Sequence, residues 1–134
     1  MARIDWAQLC ELAFLDDRGR LCLIGVTTHL PVPSLPIAVR QLMIAARIVH
    51  VRHGDELDVV VSVLTPRGVL AQPETHGALD VAVAGGEFLL ITLRDVPLTD
   101  EGIYRVLVSV GENEPTTFEL PVELLHRPSR VEVH

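Results

Sequence analysis

His50 and His53 stand three residues apart just before Asp55, and neutral imidazole is a common ligand for zinc and other transition metals. A third ligand would have to come from His29, His76, Asp55 or Glu74, and no spacing recommends one of them. Residues at odd spacing in an extended chain point to opposite faces, so only a turn at Arg52 brings the two imidazoles together. A solvated turn is the simpler expectation, with no bound metal and no cofactor. Ser34, Ser62 and Ser109 offer hydroxyls, but none lies in a GxSxG elbow or another recognisable catalytic context. Asp16-Asp17 and Asp100-Glu101 are acid pairs set among turn residues, where an Asp side chain bonds the local backbone, and no calcium-loop spacing surrounds them. No catalytic constellation emerges, and the chain reads as a protein that is not an enzyme.

Composition narrows the function classes further. All 11 basic side chains are Arg, so the Lys that a P-loop, a protein-kinase strand or a pyridoxal Schiff base requires is missing. The glycines never form GxGxxG, which removes the dinucleotide-binding fingerprint. Eleven basic against 18 acidic residues give a net charge of -7 with no basic run, which disfavours nucleic acid and anionic membrane as partners. No export signal opens the chain, and apolar runs such as Phe88-Leu89-Leu90-Ile91 fall far short of the roughly 20 residues needed to span a bilayer. A soluble cytoplasmic protein is expected. With 134 residues, 49% of them hydrophobic, the chain has room for one domain and its core, over residues 1–126, followed by a loose tail at 127–134.

The elements that must position these residues are strands. Short apolar and β-branched runs alternate with Gly, Pro and Asp clusters, the pattern of an all-β chain. Ala7 to Leu15 and Arg20 to His29 flank Asp16-Asp17-Arg18-Gly19 as a hairpin, with Phe14 facing Cys22. Cys10 then sits on the order of 13 Å from Cys22, at 3.3 Å per residue, too far for a disulfide. Pro31, Pro33 and Pro36 mark a loop. Gln41 to Val51 and Glu56 to Leu64 read as a second hairpin through Gly54-Asp55, and the chain reverses again at Thr65-Pro66-Arg67-Gly68, whose residue order suits a type I turn. Leu79 to Ala84 and Glu87 to Arg94 flank Gly85-Gly86 as a further hairpin, and Ile103 to Val110 pairs with Thr116 to Glu123. About eight strands are too many for one exposed sheet, so the expected fold is a two-sheet antiparallel β-sandwich.

Two resemblances refine this. Asp100-Glu101-Gly102-Ile103-Tyr104-Arg105-Val106 resembles the D-x-G-x-Y-x-C segment of immunoglobulin domains, with Val106 where that family has its second cysteine. The resemblance implies a structural tyrosine corner at Tyr104, supported by Asp100 and Gly102, in an immunoglobulin-like sandwich without an inter-sheet disulfide. Over roughly residues 10–122 the chain also resembles a family of short bacterial proteins known only as a domain of unknown function. That likeness rests on Cys10-Glu11-Leu12-Ala13, Gly19 to Val26, the proline loop through Pro36, Gly54-Asp55-Glu56-Leu57 and Thr65-Pro66-Arg67-Gly68. It implies a small β-sandwich and transfers no activity.

What remains is a contact role. Leu57 to Leu64, Leu79 to Ala84 and Phe88 to Leu93 are apolar on both faces, whereas a sheet with one wet face alternates. Burial by another chain is the economical explanation, so a non-catalytic interaction or structural module acting as a homo-oligomer, most simply a homodimer, or with another protein, is expected. Trp6 is the candidate interface anchor. The alternatives are a β-barrel carrying a small apolar ligand and, behind it, a metal-dependent enzyme built on His50 and His53.

Overall fold

The computed structural model describes residues 3–50, 56–80 and 88–125. Through them run β1 (Arg3–Leu15), β2 (Leu21–Val26), β3 (Leu30–Val32), β4 (Ile37–Val49), β5 (Glu56–Leu64), β6 (Thr75–Asp80), β7 (Phe88–Leu98), β8 (Gly102–Val110) and β9 (Thr116–Leu124), with no helix among the described residues. One sheet has the order β2-β1-β4-β7, the other β3-β9-β8-β5-β6. Period-two alternation builds the space between them. Val59, Val61 and Val63 of β5 and Tyr104, Val106 and Val108 of β8 share one buried cluster with Leu42, Ile44 and Ala46 of β4 and Leu89, Ile91 and Leu93 of β7. Each large aliphatic side chain buried there contributes roughly 1.5–3 kcal/mol relative to exposure, so this interleaving holds the two layers together. The fold is an all-β, immunoglobulin-like sandwich.

Local turn chemistry sets three hairpins. At the β1–β2 turn, Asp16 Oδ1 accepts hydrogen bonds from the Arg18 and Arg20 backbone N–H groups at 2.9 and 2.8 Å, and its Oδ2 accepts one from Arg20 Nε at 2.7 Å. The resulting register puts Phe14 opposite Cys22 and Cys10 opposite Val26, which keeps both thiols free. The Gly68 N–H donates to the Thr65 carbonyl at 2.8 Å and turns β5 back towards β6. β8 and β9 pair antiparallel from Gly102 opposite Val122 to Val108 opposite Thr116.

Two hairpins expected from the sequence do not form. β4 and β5 lie in different sheets, and so do β6, which pairs with β5, and β7, which pairs with β4. The chain crosses between layers at both places, because Gly-rich turn residues announce a break in a strand without specifying which sheet receives the next one. Gly54-Asp55 and Gly85-Gly86 themselves lie outside the described residues. The proline stretch also differs from a plain loop. Leu30–Val32 is a short edge strand, with Pro31 opposite Glu123, running parallel to β9. An edge position leaves the missing proline N–H without consequence, and this parallel pair is the exception in an otherwise antiparallel sandwich.

The strand covered on both faces is β4. Leu42, Ile44 and Ala46 enter the inter-sheet core, while Met43 and Ala45 join Cys10 and Ala13 in a second buried cluster, flanked by Leu21, Leu23 and Leu90. The Ala13 backbone N–H lies 3.3 Å from Met43 Sδ, so the β1–β2 hairpin itself covers this second face. By contrast, β5 and β7 bury one row each and leave the alternate positions Val60, Ser62, Phe88 and Leu90 only half-buried. Of the runs that the sequence read as apolar on both faces, Phe88 to Leu93 has Leu90 packed on this second cluster, so that part of its cover comes from within the chain.

Two outcomes follow. Ile44 has no solvent exposure, so Ile44→Ala lowers unfolding free energy by about 2–5 kcal/mol, read from urea denaturation. The Arg20 backbone N–H, aided by the Arg20 guanidinium and the Arg18 N–H, holds the Asp16 carboxyl below its ordinary pKa. A depressed folded-state pKa contributes stability that is present above the unfolded value and lost as pH falls through the folded one. An NMR carboxyl titration therefore finds the Asp16 midpoint below that of free aspartate, and Arg20→Ala moves it up.

Candidate functional site

Among the described residues, the polar groups with chemical potential are dispersed. His50 follows β4, exposed, with φ of 61°, and His53 lies outside the described residues. His29 is exposed, its Nδ1 3.4 Å from Thr28 Oγ1, and Glu74 Oε2 accepts a hydrogen bond from Ser62 Oγ at 2.8 Å. His76 falls in β6 opposite Val60, and Asp55 lies outside the described residues. No group of three His, Cys, Asp or Glu side chains able to hold a metal occurs among the described residues. Ser34 is exposed beside the proline stretch, and Ser109 sits in β8 opposite Val60. Ser62 spends its hydroxyl on Glu74 rather than on a histidine.

Tyr104, Asp100 and Gly102 do come together. The Tyr104 side chain is fully buried, and its hydroxyl accepts hydrogen bonds from the backbone N–H groups of Thr99 at 2.9 Å and Asp100 at 3.2 Å. Two donors at the bend between β7 and β8 are thereby satisfied inside the fold. Gly102 has φ of 132°, and a Cβ there would meet Pro66 Cγ at 2.9 Å, so the corner also packs directly on the Thr65–Gly68 turn. Val106 is fully buried where immunoglobulin domains carry a cysteine. This is architecture, with the hydroxyl serving the backbone.

The surface feature that stands out is apolar. Of the ten large hydrophobic side chains exposed among the described residues, six lie on β1 and β2: Trp6, Leu12, Phe14, Leu15, Ile24 and Val26. Trp6 is 42% exposed and sits at the irregularity between Ile4 and Trp6 where β1 shifts register on β4. Beside it Asp5 and Arg47 form an ion pair at 3.6 Å. Farther along, Leu12 and Ile24 wall a surface groove of about 490 Å³ that also takes in Leu30, Val39, Glu11 and Arg40. The hairpin kinks there. Gly25 has φ of 67°, and a Cβ on it would lie 2.9 Å from the Glu11 side chain. Sequence reasoning found Trp6 and missed the rest, although alternating rows of β1 and β2 are both apolar, Leu12 and Phe14 on one parity and Ala13 and Leu15 on the other.

Together, the two interleaved layers and the buried tyrosine corner define a small immunoglobulin-like β-sandwich whose distinctive surface is an apolar hairpin. The chain belongs to the family of unknown function DUF6941, whose model matches residues 5–123. It is also similar to the CARDB domain of a Pyrococcus furiosus protein, solved in complex with di-metal ions, at 17% identity and a TM-score of 0.49, covering 91% of this chain and 96% of that one. No curated protein matches. Among the described residues no helix is long and apolar enough to cross a membrane.

The corner supplies a direct test. Tyr104→Phe keeps the buried ring and removes the acceptor for two backbone donors, so stability falls by about 1–3 kcal/mol in chemical denaturation while the far-UV spectrum is unchanged.

Proposed function

We propose that this protein is a non-catalytic β-sandwich module that acts through protein contacts, as a homo-oligomer or as a small component of a larger assembly. The supporting observation is the collection of exposed apolar side chains on a single hairpin. Soluble monomers rarely leave contiguous apolar patches larger than a few hundred Å² in water, and such patches commonly mark interaction sites. A symmetric dimer is the simplest closed assembly that hides one. The net charge of -7 without a basic run supports a protein partner over nucleic acid or anionic membrane. Two free cysteines, one of them Cys10 with burial pushing its thiol pKa up, suit a reducing cytoplasm.

A second reading, carriage of a small apolar ligand, draws on the groove beside Leu12 and Ile24. The space between the sheets is filled by side chains, so a ligand would sit in this surface groove rather than in a barrel interior.

Light scattering after size exclusion at micromolar concentration separates these. A homo-oligomer gives a particle of twice the 14.7 kDa chain mass or more. A strict monomer that carries a small molecule through native mass spectrometry selects the ligand carrier, and a bare strict monomer that also recovers no partner from host lysate ends both readings.

A further inference from the structure

The geometry points to β2 as the contact: two copies of this chain pair edge to edge along Leu21–Ile24, antiparallel, joining their β2-β1-β4-β7 sheets into one continuous sheet. This rests on the homo-oligomer reading above and specifies its surface.

The four sheet edges differ in how they are protected. A free edge strand offers unpaired N–H and C=O groups to any neighbouring chain, and proteins blunt such edges with charge, proline, bulges or brevity. β7 carries Arg94, Asp95 with φ of 52°, and Pro97. β3 is three residues long and contains Pro31. β6 contains Gly77 and ends on Asp80. β2, Leu-Cys-Leu-Ile-Gly-Val, has neither charge nor proline, and among the described residues only β1 lies beside it. Its one irregularity, Gly25, sits near the end and leaves Leu21–Ile24 as regular strand.

Its side chains favour a copy of itself. Ile24 and Val26 are 52% and 55% exposed on β2, and Leu12, Phe14 and Leu15 are exposed on the strand alongside. Antiparallel self-pairing lays one apolar hairpin beside another, so each copy provides the uncharged surface that the other needs. The chain carries a net charge of -7, and Leu21–Val26 brings no acid of its own to the pairing, with Glu11 packed on Gly25 near its far end. A dimer of ordinary size needs about 800 Å² from each partner. The strand pair would supply main-chain hydrogen bonds along Leu21–Ile24 together with these five side chains, and Trp6 lies farther along β1.

Cys22 makes the arrangement measurable. It lies on β2 and is partly exposed, whereas Cys10 is fully buried. In any antiparallel register centred within Leu21–Ile24 the two Cys22 residues stand on the order of 10 Å apart. Full-length protein treated with a short thiol-to-thiol cross-linker should give a covalent dimer that Cys22→Ser abolishes and Cys10→Ala preserves. Ile24→Lys places a charge on the edge at an exposed position and should halve the light-scattering mass while leaving the circular dichroism spectrum unchanged. Val69→Lys, at a 59% exposed site on another turn, should leave the dimer intact. If Ile24→Lys stays dimeric and Cys22 does not cross-link, the edge assignment is overturned while the homo-oligomer reading stands. If the unmodified chain is monomeric, both fall.

Discussion

Coverage of β4 on both faces is the constraint from which the remaining structure follows. Five consecutive residues, Leu42 to Ala46, are buried, so neither row can be left to water. One row meets the second sheet across the inter-sheet core, and that requires β5 and β8 to present valines at matching alternate positions. The other row meets Cys10, Ala13, Leu21 and Leu23, and that requires the β1–β2 hairpin to lean over the outside of its own sheet. The small side chains of Ala45 and Ala13 allow the close approach that a bulkier pair would block.

The lean of the hairpin has a cost on its far side. A two-stranded ribbon that turns some of its side chains towards β4 presents others, Leu12, Phe14, Ile24 and Val26 among them, outward. The kink that permits this falls where Gly25 passes so close to Glu11 that no side chain fits. Interior packing and surface stickiness are thus two sides of one bend. The tyrosine corner works differently. It spends a polar hydroxyl on two backbone donors and so keeps the β7–β8 bend internally complete.

Much of the architecture was legible because it is written in local chemistry. Asp16 to Gly19, Thr65 to Gly68 and the stretch after Val110 each reverse the chain between strands that then pair with each other. The segments around Gly54 and Gly85 carry equally good turn residues, yet β4 finds its partners in β1 and β7, and β5 finds its own in β6 and β8. Layer assignment depends on which apolar rows fit across roughly 10 Å of core, and a linear string does not display that. Pro31 hid a strand for a related reason, since its tolerance depends on an edge position that only the assembled sheet creates. The apolar hairpin was half legible. Its composition was plain, but which row would face inward was set by the bend at Gly25.

The layer crossings carry a kinetic corollary. Gln41 on β4 meets Arg94 on β7, 53 residues further along the chain, and their side chains touch at 3.4 Å. The central sheet therefore cannot be completed until β7 has emerged and β5 and β6 have been laid aside in the opposite layer. Loop closure of that span comes before any reward from the contacts, which places such sandwiches among slow folders, in roughly the millisecond-to-second range. On a ribosome, the first hairpin and β4 would wait in the open with their greasy rows uncovered, a window in which nascent chains depend on shielding by chaperones.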